Sequence, residues 1–483
     1  MGHAYSSISA DVIARFKQLE GFEVKFLTGT DEHGSKIQKS AQKENLKPLD
    51  FCNNISKVFL DLTKKLNLSN TDFIRTTEKR HHESVKKLWE ILEKNKEIYL
   101  SNYSGWYSIS DEAFYSEEET ILTENNKRIS SSSGNEVEWV EEESYFFKLS
   151  KWQEPLLEFY KKNPDFIQPI SRKNEITSFI KSGLKDLSIS RTSFDWGIEV
   201  PTNKSHIIYV WLDALTNYIS ATNYFSDRAE SEWPADLHII GKDITRFHAV
   251  YWPAFLMAAN IPLPKKIFAH GWILSGDEKM SKSKGNILDP LEIISEFGLD
   301  EVRYYLMKEI MYGSDGKINI ENLKNCINSD MANNMGNLSQ RIFSLVGKYY
   351  DNKIPKPIDL TKVDNELLNA EFHLFSKKMI NFEIHNYLKE IVSFSSSVNK
   401  YVNDEEPWNR SKNSNDRIST IIYVTLDCLR KIFFLLYPVM PSKSELFLKS
   451  LGIKVEEILF SNFDKKNTPG TLVNPPGILF KKF

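Results

Sequence analysis

VKFLTGTDEHG, residues 24–34, decides how the rest of this chain is read. It opens with a short apolar run of β type, turns at Gly29, and ends in charged and imidazole side chains. Immediately upstream, SADVIARFKQLE (9–20) sets Val12, Ile13, Phe16 and Leu19 at helical spacing, and Gly21 stops the run. A helix, then a strand, then a polar loop at the strand's carboxyl end is half of a βαβ unit. Open α/β sheets bind their ligands at such carboxyl ends.

Working outward, helical patterns follow at 49–66 and 79–97. Between 103 and 147 the text changes to short aromatic runs (YSGWYSI, EAFYS, VEWV, SYFFKL) separated by Ser, Asn and Gly. That pattern predicts a small inserted β module. A second α/β stretch begins near 206 with HIIYVWLDALTNYI, DLHIIGKDITRFHAVYWPAFLMAA and KKIFAHGWIL. From about 326 to 450 the pattern is helical almost throughout, punctuated by Pro-rich pieces. There is no internal repeat. The expected fold is a split α/β domain of Rossmann-like parallel sheet with an insertion, followed by an all-α domain.

A length of 483 residues fits about two to four domains. A net charge of −3 neither demands nor forbids a nucleic acid, so any such surface must be a local basic patch. The three cysteines, Cys52, Cys326 and Cys428, are far apart and form no CxxC pair. A disulfide framework and a zinc knuckle are therefore not expected, and a reducing, cytoplasmic setting is. No apolar run approaches membrane-spanning length, and the first residues hold no apolar leader core.

GDEKMSKSKGN (276–286) sets lysines and serines between two glycines with almost no apolar residue. Such a loop can swing Lys279, Lys282 and Lys284 onto a polyanion, and a lysine suits a point-charge contact to a phosphate. KMSKS, intact from Lys279 to Ser283, resembles the second signature of class I aminoacyl-tRNA synthetases. Met1-Gly2-His3 looks like the end of their His-x-Gly-His motif. TGTDEHG (28–34), GWYS (105–108), YVWLDA (209–214), GKDITRFH (241–248), AHGWIL (269–274), NNMGNLSQR (333–341) and EEPW (405–408) are similar to the methionyl-tRNA synthetases, in the expected order along essentially the whole chain.

The resemblance implies two steps. Methionine attacks the α-phosphate of ATP, and the acyl group of the adenylate then passes to the 3′ end of tRNA(Met), in initiation and elongation alike. Such chemistry is mostly positioning and charge stabilisation. The resemblance makes His3, Lys279 and Lys282 catalytic and adds Gly2, Asp243 and Ser281 to the ATP site. Helix N-terminal amides favour the phosphates as well. Asp31 becomes the carboxylate for the methionine amino group, expected as one buried charge in an apolar pocket. Trp211, Ala214, Tyr218, Phe247 and His248 become the pocket walls, where aromatic faces suit a thioether. Leu215 departs from a proline often seen in the family, which bears on the pocket edge. Arg191 is a further expected active-site contact.

In the inserted module, where the family often carries zinc knuckles, GWYSISDEAFYSEEET has serines and acids. A form without zinc is expected, with Mg²⁺ entering only with ATP. In the helical domain the resemblance makes Asn337, Arg341, Pro407 and Trp408 the anticodon readers; Asn and Arg can read base edges and Trp can stack. The expected division is 1–102 and 196–275 for the two parts of the catalytic domain, with 103–195 for the inserted connective module. Residues 276–325 hold the KMSKS loop and stem-contact region, and 326–483 the anticodon-binding domain. A monomer is expected, with no membrane partner. The truncated first motif leads to the expectation of an upstream start about 15–20 residues before Met1, one strand and its lead-in. Two rivals stand beside this reading. One is another class I synthetase, such as the cysteinyl or branched-chain enzymes; the other is a tRNA-binding protein without catalysis.

Overall fold

The computed structural model describes residues 1–111, 113–123, 125–226, 232–275, 278–279, 289–371, 373–409 and 415–483. Contacts divide the chain into two compact units, Leu27–Ala269 and Met1–Phe26 with His270–Phe483.

The first unit is α/β. Leu27–Thr30 pairs in parallel with Asp72–Arg75, in register Leu27 to Asp72. The two strands approach so closely that a Cβ on Gly29 would sit 2.0 Å from the Ile74 carbonyl oxygen, which explains the glycine in TGTD. A second group orders His238–Gly241, Ile267–His270 and Ile167–Gln168 side by side, the last two parallel. Helix Lys79–Lys94 buries Val85, Leu88, Trp89 and Leu92, a spacing of three, one and three residues that marks a single face. These side chains join a core that includes Leu212, Leu215, Ile219, Trp252 and Phe255. Each such burial stabilises by about 1.5–3 kcal/mol. Leu215 is thus a core residue on helix Val210–Ser220.

The insertion is an antiparallel sheet. Ile98–Ser108 pairs with Glu138–Phe147 over ten positions, and Ala113–Tyr115 and Leu187–Ser188 flank that pair. Its first strand starts at Ile98, five residues before the aromatic runs begin, because the turn at Asn95–Lys96, with Lys96 at φ +59°, ends the preceding helix. Where zinc ligands were to be replaced, hydrogen bonds tie the turns. Asp111 accepts from Ser133 Oγ (2.5 Å), Asn135 Nδ2 (2.5 Å) and Tyr115 OH (2.9 Å). Hydroxyls engaged in this way form a poor donor set for zinc. Among the described residues no group of three or more His, Cys, Asp or Glu side chains is arranged to hold a metal.

The second unit opens with helix Gly2–Leu19, longer than the helix expected over 9–20. Its buried stripe starts at Ala4 and Tyr5 and continues through Ile8, Val12 and Phe16, so Gly2 and His3 fall in the first turn. Phe16 packs edge-on against Tyr387, with ring centroids 6.0 Å apart. The remaining chain of this unit is mainly helical. Ile384–Glu405 packs with Asn415–Leu436, whose described residues are almost entirely buried. No helix among the described residues is long and apolar enough to cross a membrane.

Candidate active site

In the α/β unit the sequence-predicted pocket residues come together on two elements. Helix Val210–Ser220 carries Trp211, Ala214 and Tyr218. Phe247–Tyr251, a turn wound more widely than an α-helix, carries Phe247 and His248. Such turns recur at functional sites because they reset the facing of side chains. The Trp211 and Phe247 rings stack at 3.7 Å and 6°. Beside them, Tyr218 OH lies 2.7 Å from His248 Nε2. Burial pushes His248 down to about 4, so its ring is neutral near pH 7. Its Nδ1 faces the Ile244 carbonyl oxygen at 3.1 Å, which assigns the proton to Nδ1 and leaves Nε2 to accept from Tyr218. The pair is uncharged and mutually satisfied. Together with the stacked rings it forms an uncharged, largely aromatic cluster.

Asp31 directly follows the strand Leu27–Thr30, but it stands exposed, not buried as expected. The inward side is taken by its neighbours. Glu32 accepts from Arg75 Nε (2.8 Å) and Nη2 (3.0 Å), Thr77 Oγ1 (2.5 Å) and Thr30 Oγ1 (2.7 Å). His33 Nδ1 lies 2.6 Å from Asp213 Oδ2. Asp243 is exposed in the turn Lys242–Ile244, directly after His238–Gly241. Arg191 is buried, donates to Ser188 Oγ (2.8 Å), and sets its guanidinium 4.7 Å from the Tyr209 ring centroid. Its Nε lies 3.6 Å from Glu142.

In the other unit Gly2 and His3 are exposed in the first helical turn. The backbone of Lys279 belongs to Glu278–Lys279, which pairs with Leu274 and Ser275. Ser281, Lys282 and Lys284 lie outside the described residues. Helix Asn337–Tyr350 carries Asn337, exposed, and Arg341. The Arg341 guanidinium lies 4.4 Å from the Trp408 ring centroid and donates to Asn403 Oδ1 at 2.9 Å. Pro407 is buried and Trp408 is 39% exposed. Arg341 and Trp408 thus form one platform, with Asn337 one helical turn away.

A family model described as tRNA synthetases class I (M) matches residues 1–124 and 119–343. The chain is 48% identical to the methionine–tRNA ligase of Rickettsia conorii over 497 residues, covering 100% of this chain and 96% of that one. It belongs to the methionyl-tRNA synthetase family of class I. Against the Rhizobium meliloti methionine–tRNA ligase the identity is 46%, over 100% of this chain and 95% of the other. The crystal structure of the Mycobacterium tuberculosis methionyl-tRNA synthetase bound by methionyl-adenylate is similar at a TM-score of 0.96 and 43% identity. That likeness covers 99% of this chain and 96% of the other.

For a methionyl-tRNA synthetase chain, sequence reasoning missed a buried polar cluster. Asp213 Oδ1 lies 2.6 Å from His81 Nε2, opposite the His33 contact, and His81 Nδ1 lies 3.0 Å from Ser220 Oγ. His238, also buried, faces Tyr218 with ring centroids 4.1 Å apart. The signals were present as the His of DEHG and the pair His81-His82 at a helix start, but nothing local names their partners.

Proposed function

We propose that this chain is a methionine–tRNA ligase, converting methionine and ATP to methionyl-adenylate and pyrophosphate and then acylating tRNA(Met). A methionine carboxylate oxygen attacks the α-phosphorus, and the bond to pyrophosphate breaks. A ribose hydroxyl of the terminal adenosine then attacks the acyl carbon, and AMP leaves as its proton is lost. The observation that carries this reading is end-to-end likeness to methionine–tRNA ligases. The uncharged aromatic cluster of Trp211, Phe247, Tyr218 and His248 supports the choice of amino acid, since a thioether gains from aromatic contact and needs no charged partner. In this reading Ala214 lines the methionine site, Asp31 receives the ammonium group, Arg191 contributes a positive charge to the site, and Asp243 meets the nucleoside. Gly2, His3, Lys279, Ser281 and Lys282 serve the phosphates, with Mg²⁺ arriving on ATP. Asn337, Arg341, Pro407 and Trp408 read the anticodon. We take the working protein to be a cytoplasmic monomer without zinc. The test is methionine-dependent ATP–pyrophosphate exchange, followed by charging of tRNA(Met). Exchange with another amino acid at comparable efficiency would overturn the assignment.

A further inference from the structure

We propose that Asp213 and His33 form a strut that sets the spacing between Asp31 and the pocket face of Trp211, Ala214 and Tyr218, and so governs affinity for methionine. This rests on the functional reading above. Asp213 lies in the first turn of helix Val210–Ser220, between Trp211 and Ala214. His33 lies two residues beyond Asp31 in the loop that follows Leu27–Thr30. Their contact, 2.6 Å between Nδ1 and Oδ2, ties the loop that carries Asp31 to the helix that carries Trp211, Ala214 and Tyr218, across 180 residues of sequence.

Three features make the contact stiff. Asp213 is 0% exposed and His33 is 4% exposed, so water cannot substitute for either partner. The second Asp213 oxygen is held by His81 at 2.6 Å, which fixes the carboxylate plane. On the loop side, Gly34 N–H donates to the Trp196 carbonyl (3.1 Å), Trp196 Nε1 donates to the Glu32 carbonyl (2.6 Å), and Glu32 is clamped by Arg75. Asp31 therefore sits between anchored neighbours on both sides. A charge-assisted, desolvated hydrogen bond of this kind resists displacement far more than a surface contact. Adenylate formation by direct carboxylate attack needs no general base, so His33 acts through Asp31 and is a positioning residue.

The test compares steady-state pyrophosphate exchange for the wild type with that for His33→Ala, His33→Asn and His33→Gln. The Asn side chain carries its N–H donor at the place of imidazole Nδ1 and keeps the strut; Gln carries it at the place of Nε2 and does not. His33→Ala and His33→Gln should raise methionine KM at least tenfold, with ATP KM within twofold and kcat within threefold. His33→Asn should return methionine KM to within threefold of wild type. The Asn and Gln variants give the contrast even if the Ala variant fails to fold. Equal rises in both KM values, or His33→Asn as impaired as His33→Gln, would overturn the strut alone. A wild type with no methionine-dependent exchange would overturn the functional reading, and the strut with it.

Discussion

His238 shows at single-residue scale what burial does to a titrating group. Burial, followed by the nearby His248, pushes it down to about 3, and His248 itself is held at about 4. An unfolded chain takes up protons at these residues as pH falls through about 6.5, while the folded protein refuses them until about pH 3–4. Both therefore contribute stability that is complete above pH 6.5 and is lost as pH falls toward 4. The slope is up to about 1.4 kcal/mol per pH unit for each group. Thermal melts of wild type and His238→Asn between pH 7 and 4.5 should show a shallower fall of Tm in the variant. Parallel curves would mean that the ring binds its proton in the folded state. The histidines of the DLHII and DITRFH runs were visible in the sequence. Their neutrality was not, because it depends on the desolvating shell around them.

At the scale of elements, the proposed roles of the Lys-rich loop and the helix-end tryptophan predict two separable activities. In the proposed role, where the lysine meets charge developing on pyrophosphate, Lys282→Ala should slow adenylate formation at least about a hundredfold with methionine binding nearly intact. Single-turnover rates and equilibrium methionine binding check this; a large rise in methionine Kd with unchanged rate would contradict it. Trp408→Ala should lower kcat/KM for tRNA charging by roughly 10–100-fold, the equivalent of about 1–3 kcal/mol of stacking, and spare pyrophosphate exchange. The Arg341 guanidinium lies against that ring in the protein alone. If both activities fell together, Trp408 would be acting as a core residue. Helix periodicity announced the element that carries Asn337 and Arg341. The partnership of Arg341 with Trp408 and Asn403 joins residues more than sixty positions apart, and periodicity has no term for that.

At the scale of the molecule, the first helix belongs to the same compact unit as the C-terminal half of the chain. Arg303 is the buried pin. Its guanidinium reaches Asp11 Oδ2 (2.6 Å) and the carbonyls of Val439 (2.8 Å) and Pro438 (3.0 Å). Asp11 also accepts from Arg15 at 2.8 Å, within its own helix. Arg303→Ala leaves a buried carboxylate short of one partner and two carbonyls without theirs. Removing one member of a buried pair costs about 3–5 kcal/mol. Calorimetry should show Tm lower by on the order of 10 °C. A change of a degree or two would mean that Arg15 alone satisfies Asp11.

The sequence alone determined the family, the order of the motifs, the α/β-then-helical plan and the candidate residues proposed for the substrate sites. These are local properties: phosphate chemistry calls for lysines, a strand end needs polar residues, and a buried helix face needs its period. The tertiary structure alone decided which side chains meet. It turned Asp31 outward and Glu32 inward, bound His33 and His81 to one carboxylate across 180 and 132 residues, and made the first helix a partner of Arg303. The physical reason is that a buried charge must find its counter-charge wherever the fold brings one, and distance along the chain does not constrain that choice.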